Sequence, residues 1–421
     1  MEKINYKKDS IGIIGLGYVG LPLAIEFANI IKVIGFDLDK KRINELNNNF
    51  DRTREVSKNK ISKTRNIIYT NNQSKLCHCK IYIVTVPTPI NKNKIPDLSN
   101  ILNACKILGG LIHKNNIIIF ESTVYPGATE EECVPILEKY SKLKYNVDFF
   151  CGYSPERINP GDKLHTVKNI IKVVSGSNKN VTKTINNLYK KIVTAGTYIA
   201  PSIKVAEAAK AIENTQRDLN IAYVNELSII FDKMNIETRE VLAAAETKWN
   251  FIKFEPGLVG GHCISVDPYY LTYKSKKEGY EPKFILSGRK INDGMAKYIA
   301  NKFHKKFTDN NIKIKKPKIL IMGLTFKENC PDIRNTQIVN VVKALKSKNY
   351  AVDIYDPWVD PKEAKSQYGL NLKFNLKDNQ YEGIIIAVAH DIFKKMGETR
   401  IYKLMKKKSV LFDFKNLLIK K

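Results

Sequence analysis

At residues 11–20 the chain reads IGIIGLGYVG, a β-branched run that ends in Gly15 and opens a helical pattern reaching from about Tyr18 to Asn29. Glycines at 15, 17 and 20, between a strand and a helix, permit a tight turn and a close approach of the backbone to a pyrophosphate. The free N–H groups and positive dipole end of the helix then hold that anion. The spacing is a weak signal by itself. It is strengthened by Asp37, which ends the next strand (Lys32–Asp37) 22 positions after Gly15, where a carboxylate accepts the ribose hydroxyls of an adenosine. An acid there favours NAD over NADP, because a 2′-phosphate would meet like charge.

The same alternation continues. A helix is expected over residues 39–49, and apolar strands at Lys80–Pro89 and Asn116–Val124. Near-continuous apolar strands, each followed by a helix, indicate a parallel sheet covered on both faces. From Ile203 to Met234 apolar residues recur at helical spacing with no Gly or Pro. This predicts one helix of about 45 Å, long enough to join two domains or to pack on a partner's copy. At Lys315 the pattern restarts, with a strand at 318–322 ending in Gly323, a helix from about Thr336 to Lys348, and strands at 351–357, 382–390 and 409–414. The expected fold is α/β: two Rossmann-like doubly wound parallel-sheet domains joined by a long central helix and a helical middle domain. The expected divisions are 1–200, 201–312 and 313–421.

A chain of 421 residues has room for several cores without covalent staples. Seven scattered cysteines, an odd number, and no apolar signal core at the N-terminus lead to the expectation of a reducing cytoplasm. No apolar run approaches the roughly 18 residues of a membrane span, so a soluble protein with no membrane partner is expected. The formal charge of +28 raises nucleic acid as a partner, but the lysines are spread among Asn and Ile along the whole chain. There is no arginine-rich helix and no basic-aromatic strand, and the expectation is a solvated basic surface with no nucleic-acid partner. Even KNKISKTR, Lys58–Arg65, reads as a solvated loop or helix face.

Lys210 and Asn214 stand four apart on the long helix and so project from one face, where an ammonium and a carboxamide can hold an oxyanion. Glu207, on the same side, reads as no more than a salt-bridge partner. In GGHCISVDPYYL, residues 260–271, a zinc reading of His262 and Cys263 fails, because adjacent residues chelate poorly and no CxxC or HxxxH pair supplies further ligands. Cys77-His78-Cys79 fails in the same way, and no metal is expected. Two readings of Cys263 stay open on its residues alone: an inert buried thiol, or a nucleophile that Gly260 and Gly261 leave uncovered. Asp267 returns to the same side if a helical turn starts there. With a dinucleotide turn in the same chain, the second reading implies a thiolate that adds to an aldehyde, giving a thiohemiacetal able to yield a second hydride.

Taken together, GLGYVGLPLA, TVPTP, ESTVYPGAT, YSPERINPGD, AEAAKAIENTQRDLNIAYVNE, GGHCISVDPYYL and GLTFKENCPDIRNT, in this order over essentially the whole chain, resemble the nucleotide-sugar dehydrogenases of the UDP-glucose/UDP-mannuronic acid type. PERINPGD, TKWNF and GGHCISVDPYYL look like the branch that oxidises UDP-N-acetylhexosamines for surface polysaccharides. The UDP-glucose branch has a second glutamate where Pro160 stands, and an Arg-Ile-Gly segment where Lys248, Trp249 and Asn250 lie nearby, which disfavours UDP-glucose. The resemblance implies NAD-dependent four-electron oxidation of the sugar C6 hydroxyl to the uronic acid, on a homodimer built by the long helix. UDP-N-acetylglucosamine or UDP-N-acetylgalactosamine is the implied substrate, with UDP-N-acetylmannosamine and UDP-glucose as alternatives.

The resemblance also implies roles. Lys210, Asn214 and Asp267 surround the alcohol, Cys263 traps the aldehyde, and Glu156 with Thr123 and Asp267 activates the water that releases the acid. A nearby lysine would favour the Cys263 thiolate. Implied cofactor contacts are Gly15, Gly17, Tyr18, Val19, Gly20, Asp37, Thr85, Pro87, Thr88, Thr123 and Lys327. Implied sugar-nucleotide contacts are Glu156, Arg157, Lys210, Asn214, Gly260, Lys327 and Arg334, the last offering a planar fork for phosphate or carboxylate. A single-hydride dehydrogenase of the 3-hydroxyacid or 6-phosphogluconate type shares the first fold and a lysine–asparagine helix but has no use for Cys263. His262 is left without a role.

Overall fold

The apolar runs pair into two sheets. In the computed structural model, which describes residues 4–157 and 164–418, the first sheet contains β1 (Ser10–Ile14), β2 (Lys32–Phe36), β3 (Ile67–Thr70), β4 (Ile81–Val84), β5 (Ile117–Phe120), β6 (Phe150–Tyr153), β7 (Lys172–Gly176) and β8 (Thr197–Ile199). Their order is β3-β2-β1-β4-β5-β6-β7-β8. The first six follow the order of a dinucleotide-binding Rossmann sheet. Ile11, Ile13, Val33, Ile81, Ile83, Ile117 and Ile119 are fully or almost fully buried between covering helices, as a two-sided parallel sheet requires.

One strand departs from the all-parallel expectation: β7 runs antiparallel to β6, with Gly152 opposite Gly176 and Tyr153 opposite Ser175. A parallel return needs a crossover of a dozen or more residues, usually a helix. The described part of the connection between β6 and β7 contains no helix. Pro160, noted above as a branch difference, lies outside the described residues. Three other strands stop four or five residues earlier than expected, one of them in the second sheet, where the strand expected at 382–390 ends at Ile386. β4 ends at Val84 rather than reaching Pro89, since Pro87 and Pro89 cannot donate to a ladder, and β5 ends at Phe120 rather than Val124. The freed segments instead bond to each other through side chains, as where the Ser122 hydroxyl donates to the Val86 carbonyl at 2.6 Å.

The second sheet comprises β9 (Lys318–Met322), β10 (Ala351–Tyr355), β11 (Tyr381–Ile386) and β12 (Met405–Asp413), all parallel in the order β10-β9-β11-β12. Its core sets Ile319, Ile321 and Ile385 with Phe303 and Phe307 from the helix Lys283–Asp309, and with Val341 and Leu345 from the helix Ile338–Ser347. By contact the chain divides into two compact units, Met1–Glu213 with Tyr269–Glu281, and Asn214–Pro268 with Pro282–Lys421. The long helix Ile203–Lys233 is continuous over 31 residues and passes from one unit into the other at 213–214. Among the described residues no helix is long and apolar enough to cross a membrane.

The two sheets repeat one turn. Gly15 has φ of 94° and Gly323 φ of 101°, conformations that favour glycine. The Gly15 N–H donates to the Phe36 carbonyl at 2.8 Å and the Gly323 N–H to the Tyr355 carbonyl at 2.9 Å. In each unit the following leucine N–H donates to a carboxylate at the end of the next strand: Leu16 to Asp37 at 2.9 Å, and Leu324 to Asp356 at 2.7 Å.

Candidate active site

Each glycine of the first turn has its own reason. A Cβ on Gly20 would lie 1.8 Å from the Gly15 carbonyl oxygen and 2.4 Å from Thr85 Oγ1, so the helix Gly20–Ala28 can begin there only with glycine. A Cβ on Gly17 would meet nothing within 4 Å, and the residue is exposed. The Thr85 hydroxyl donates to the Ile14 and Gly15 carbonyls at 3.0 and 2.7 Å, and so clamps the turn to the end of β4. Thr88 donates to the Thr123 carbonyl at 2.6 Å, joining the loops after β4 and β5, and Asn100 donates to the Pro87 carbonyl at 3.0 Å. Tyr18 and Val19 are half-buried beside Gly17. Asp37 accepts the Leu16 N–H on one oxygen and the Asp39 N–H, at 2.9 Å, on the other. Those bonds use one lone pair on each oxygen and fix the carboxylate's aim. Arg42, the nearby cation, is buried and held by the Leu16 carbonyl and by Asp51 at 2.8 Å each, so it is committed elsewhere than to a 2′-phosphate.

Three residues beyond β6 lies Glu156, buried. One of its oxygens accepts the Arg157 N–H at 2.7 Å, and the other is 2.5 Å from Lys172 Nζ. The same ammonium is 2.7 Å from Glu121, which also accepts the Tyr189 hydroxyl. Two carboxylates around one ammonium leave an excess negative charge in a buried place. Burial, reinforced by Glu156, therefore pushes the Glu121 carboxyl up to about 7 despite Lys172. Burial alone would lower the Lys172 ammonium, but Glu121 and Glu156 together raise it. The Arg157 side chain pairs with Glu213.

The chain carries 70 lysines and arginines, yet among the described residues only two lysines are buried, Lys172 and Lys210. Lys210 and Asn214 are one turn apart on the long helix and both buried, so the helical spacing read from the sequence holds. Among the described residues Glu207 forms no salt bridge, contrary to the expectation. Its carboxylate accepts the Gly127 and Thr129 N–H groups at 2.5 and 2.9 Å, capping the turn that follows Thr123. Burial pushes its carboxyl up to about 7, against the pull of those N–H bonds.

In the second unit the turn at 260–267 is wound as expected. The Asp267 N–H donates to the Cys263 carbonyl at 2.8 Å and starts the helix Asp267–Lys277, which sets residues 263 and 267 one turn apart. The buried Asp267 carboxylate accepts from the Asn214 amide, whose oxygen in turn accepts from Arg217, so the amide has one orientation. Cys263 is half-buried, with its sulfur 3.1 Å from His262 Nδ1. The glycines, however, do not serve to uncover it. A Cβ on Gly260 would lie 2.9 Å from the Asn335 carbonyl oxygen, and one on Gly261 would lie 2.8 Å from the Phe326 ring. The loop after β9 occupies the space that side chains would have filled.

Gly260 also lines a cleft with Thr325, Phe326, Glu328, Thr336 and Lys415. This cleft sits beyond the carboxyl ends of β9 and β11, where the strand order reverses, the usual ligand position on such a sheet. Lys327 belongs to the same loop, its carbonyl accepting the Thr325 hydroxyl at 2.8 Å. The Arg334 fork, expected to face a ligand, is closed on Asp332 through Nε at 3.0 Å from both oxygens.

Three family models match in succession: the NAD-binding domain of the UDP-glucose/GDP-mannose dehydrogenase family at residues 9–193, its central domain at 204–294 and its UDP-binding domain at 320–420. The chain belongs to the UDP-glucose/GDP-mannose dehydrogenase family. It is an NAD-dependent oxidoreductase. Over 408 residues this dehydrogenase is 53% identical to a Pseudomonas aeruginosa protein called UDP-N-acetyl-D-glucosamine 6-dehydrogenase, covering 97% of each chain. It is 51% identical over 409 residues to Protein CapL of Staphylococcus aureus, covering 97% of this chain and 96% of that one. Among solved structures, a UDP-D-ManNAc dehydrogenase from Pyrococcus horikoshii superposes with a TM-score of 0.87 at 27% identity, covering 98% of this chain and 96% of that one.

The residues fit the dehydrogenase's cofactor. The open side of Gly17, the positive end of the helix that starts at Gly20 and the aimed Asp37 carboxylate are what a pyrophosphate and an adenosine ribose require. Asp37→Ala is expected to weaken NAD binding by about ten- to hundredfold, the worth of hydrogen bonds to a charged group. An unchanged dissociation constant in a fluorescence titration would remove the ribose role. Sequence reading missed Lys172, Glu121 and Tyr189. A lysine inside the apolar strand run IIKVVSG was the available signal.

Proposed function

We propose that the dehydrogenase oxidises the C6 hydroxyl of UDP-N-acetylglucosamine to the uronic acid through a covalent stage on Cys263, supplying surface polysaccharide. The observation that carries the substrate is the 53% identity, across 97% of both chains, to a protein named for that activity. The UDP-D-ManNAc dehydrogenase stands at 27%. NAD, when bound, accepts a hydride in each of two oxidations.

The protein's own groups do the rest. Lys210 and Asn214 donate to the sugar oxygen as negative charge develops there, and the alcohol proton passes to Asp267 or through a water. The Asn214 amide suits this task because its bonds to Asp267 and Arg217 prevent it from flipping. The Cys263 sulfur then adds to the aldehyde carbon. Once the resulting thiohemiacetal is oxidised to a thioester, Glu156 takes a proton from water as its oxygen attacks the carbonyl carbon. Thr123 and Asp267 orient that water, the C–S bond breaks, and the thiolate returns. Gly260, which lines the cleft of the second sheet, holds the sugar nucleotide with Lys327, Arg334 and Arg157.

The working form is a homodimer. Val205, Ile212, Tyr223 and Ile230 make one apolar stripe along the long helix, each between 43% and 56% exposed, and a second copy would cover it. The free cysteines suit a reducing cytoplasm.

NADH release measured side by side with UDP-N-acetylglucosamine, UDP-N-acetylgalactosamine, UDP-N-acetylmannosamine and UDP-glucose tests the substrate. Two NADH per sugar, with kcat/KM for UDP-N-acetylglucosamine at least about tenfold above the manno and gluco compounds, is the expected result. A higher value with UDP-N-acetylmannosamine would replace the substrate. One NADH per sugar would replace the reaction with a single-hydride oxidation.

A further inference from the structure

The sequence left His262 without a role, and the second unit places it in a chain of contacts. Its Nδ1 is 3.1 Å from Cys263 Sγ, and its Nε2 is 3.8 Å from Asp332 Oδ2. Asp332 is buried and cannot swing away, since Arg334 grips both of its oxygens from Nε at 3.0 Å and donates its backbone N–H to one of them at 2.9 Å. The Phe326 ring stands edge-on to the imidazole, with centroids 6.3 Å apart and an interplanar angle of 78°. Within this unit the imidazole has Cys263 and Asp332 on its two nitrogens, with Arg334 behind the latter.

We propose that His262 is the proton acceptor that converts the Cys263 thiol to the nucleophilic thiolate, and that Asp332, 3.8 Å from its far nitrogen, favours the protonated ring by charge. This rests on the reading of Cys263 as the nucleophile. The arrangement has a nucleophile, a base within reach of it, and a carboxylate at 3.8 Å that is beyond hydrogen-bond distance but near enough to attract an imidazolium. In the step, the S–H bond breaks and its proton moves to His262 Nδ1. The freed sulfur electron pair forms the C–S bond to the aldehyde carbon, and the carbonyl π pair moves to oxygen. The imidazolium so formed faces the Asp332 carboxylate at Nε2, which stabilises its charge. When water later releases the acid, the departing thiolate again finds a cation beside it. Asp332 does not itself take the proton. Arg334, closed on Asp332, belongs to the same chain of contacts, so its substitution should disturb Cys263 even without any ligand present.

The test is the rate of Cys263 alkylation by iodoacetamide between pH 5 and 10, read on the Cys263 peptide by mass spectrometry so that half-buried Cys77 does not interfere. In the wild type the rate is expected to level off with a midpoint below about 7.5, in the range of histidine-paired thiols. His262→Gln should move the midpoint up towards the ordinary thiol value of about 8.5 and slow alkylation at pH 6.5 by roughly ten- to hundredfold. Asp332→Asn should move it the same way by less. A wild-type midpoint near 8.5 overturns the proposal without any variant, as does an unshifted midpoint in His262→Gln. Turnover separates this from the reading beneath it. If Cys263→Ala still performs the full oxidation, the nucleophile itself is wrong. If Cys263→Ala is dead while His262→Gln alkylates like the wild type, only the role of His262 is lost.

Discussion

Cys263→Ala should abolish uronate formation, with a fall in turnover of at least about 10³-fold, while the NAD dissociation constant stays within about twofold of the wild type. The separation follows from where the groups lie. The cofactor turn is built from β1, β2 and β4 in the first unit, and each of its clamps, from Thr85 to Gly15 and from Leu16 to Asp37, is internal to that unit. Removing one half-buried sulfur from the second unit breaks none of them. The thiol is needed only after the alcohol has become an aldehyde, so the variant should at most make one NADH per sugar, with aldehyde or its hydrate as product. Quantifying NADH and uronate together decides the matter. Two NADH per sugar from Cys263→Ala would end the covalent mechanism.

Gly20→Ala and Gly17→Ala should part company. In Gly20→Ala the new methyl would sit 1.8 Å from the Gly15 oxygen, and that oxygen cannot retreat. Gly15 is pinned by its N–H bond to Phe36 and by the Thr85 hydroxyl at 2.7 Å. The expected cost is about 3 kcal/mol, the upper range for overpacking a well-filled site. Thermal unfolding should fall by about 6–12 °C for a unit of this size, and NAD affinity by more than about a hundredfold. In Gly17→Ala the methyl meets no atom of the protein, so stability should change by less than about 0.5 kcal/mol. It does enter the space through which a pyrophosphate approaches, and NAD affinity should drop by about tenfold or more. Equal unfolding temperatures for the two variants would contradict the geometry of the turn.

Local features were the legible ones. The strand–turn–helix at Gly15, the acid at Asp37, the single helix from Ile203 and the restart at Lys315 all follow from periodicity and from residues within one or two turns of each other. Features assembled across distance were not. Glu121, Glu156, Lys172 and Tyr189 come from four separate segments, and only the pairing of β5, β6 and β7 brings them together. Glu207 read as a salt-bridge partner because nothing in the helix marks the turn at 127–129 as short of acceptors. Gly260 and Gly261 invited a reading about access to the neighbouring sulfur. Their actual neighbours, Phe326 and Asn335, are more than sixty residues away in the chain. Asp332, which faces His262, is equally remote from it.

The repeated turn bears on timing. Although the second sheet copies the first as far as its glycine, leucine and acid, the copy is sealed. Asp356 is fully buried with His390 3.2 Å away, and Leu324-Thr325-Phe326 supplies no further glycine. Among the described residues the chain therefore offers one berth for a dinucleotide. On the proposed chemistry two oxidations must share it, so a spent cofactor departs and a fresh one arrives midway, with the sugar half-converted. A bond to sulfur keeps that half-finished molecule from leaving during the changeover, and turnover should be paced by this exchange as much as by either hydride transfer.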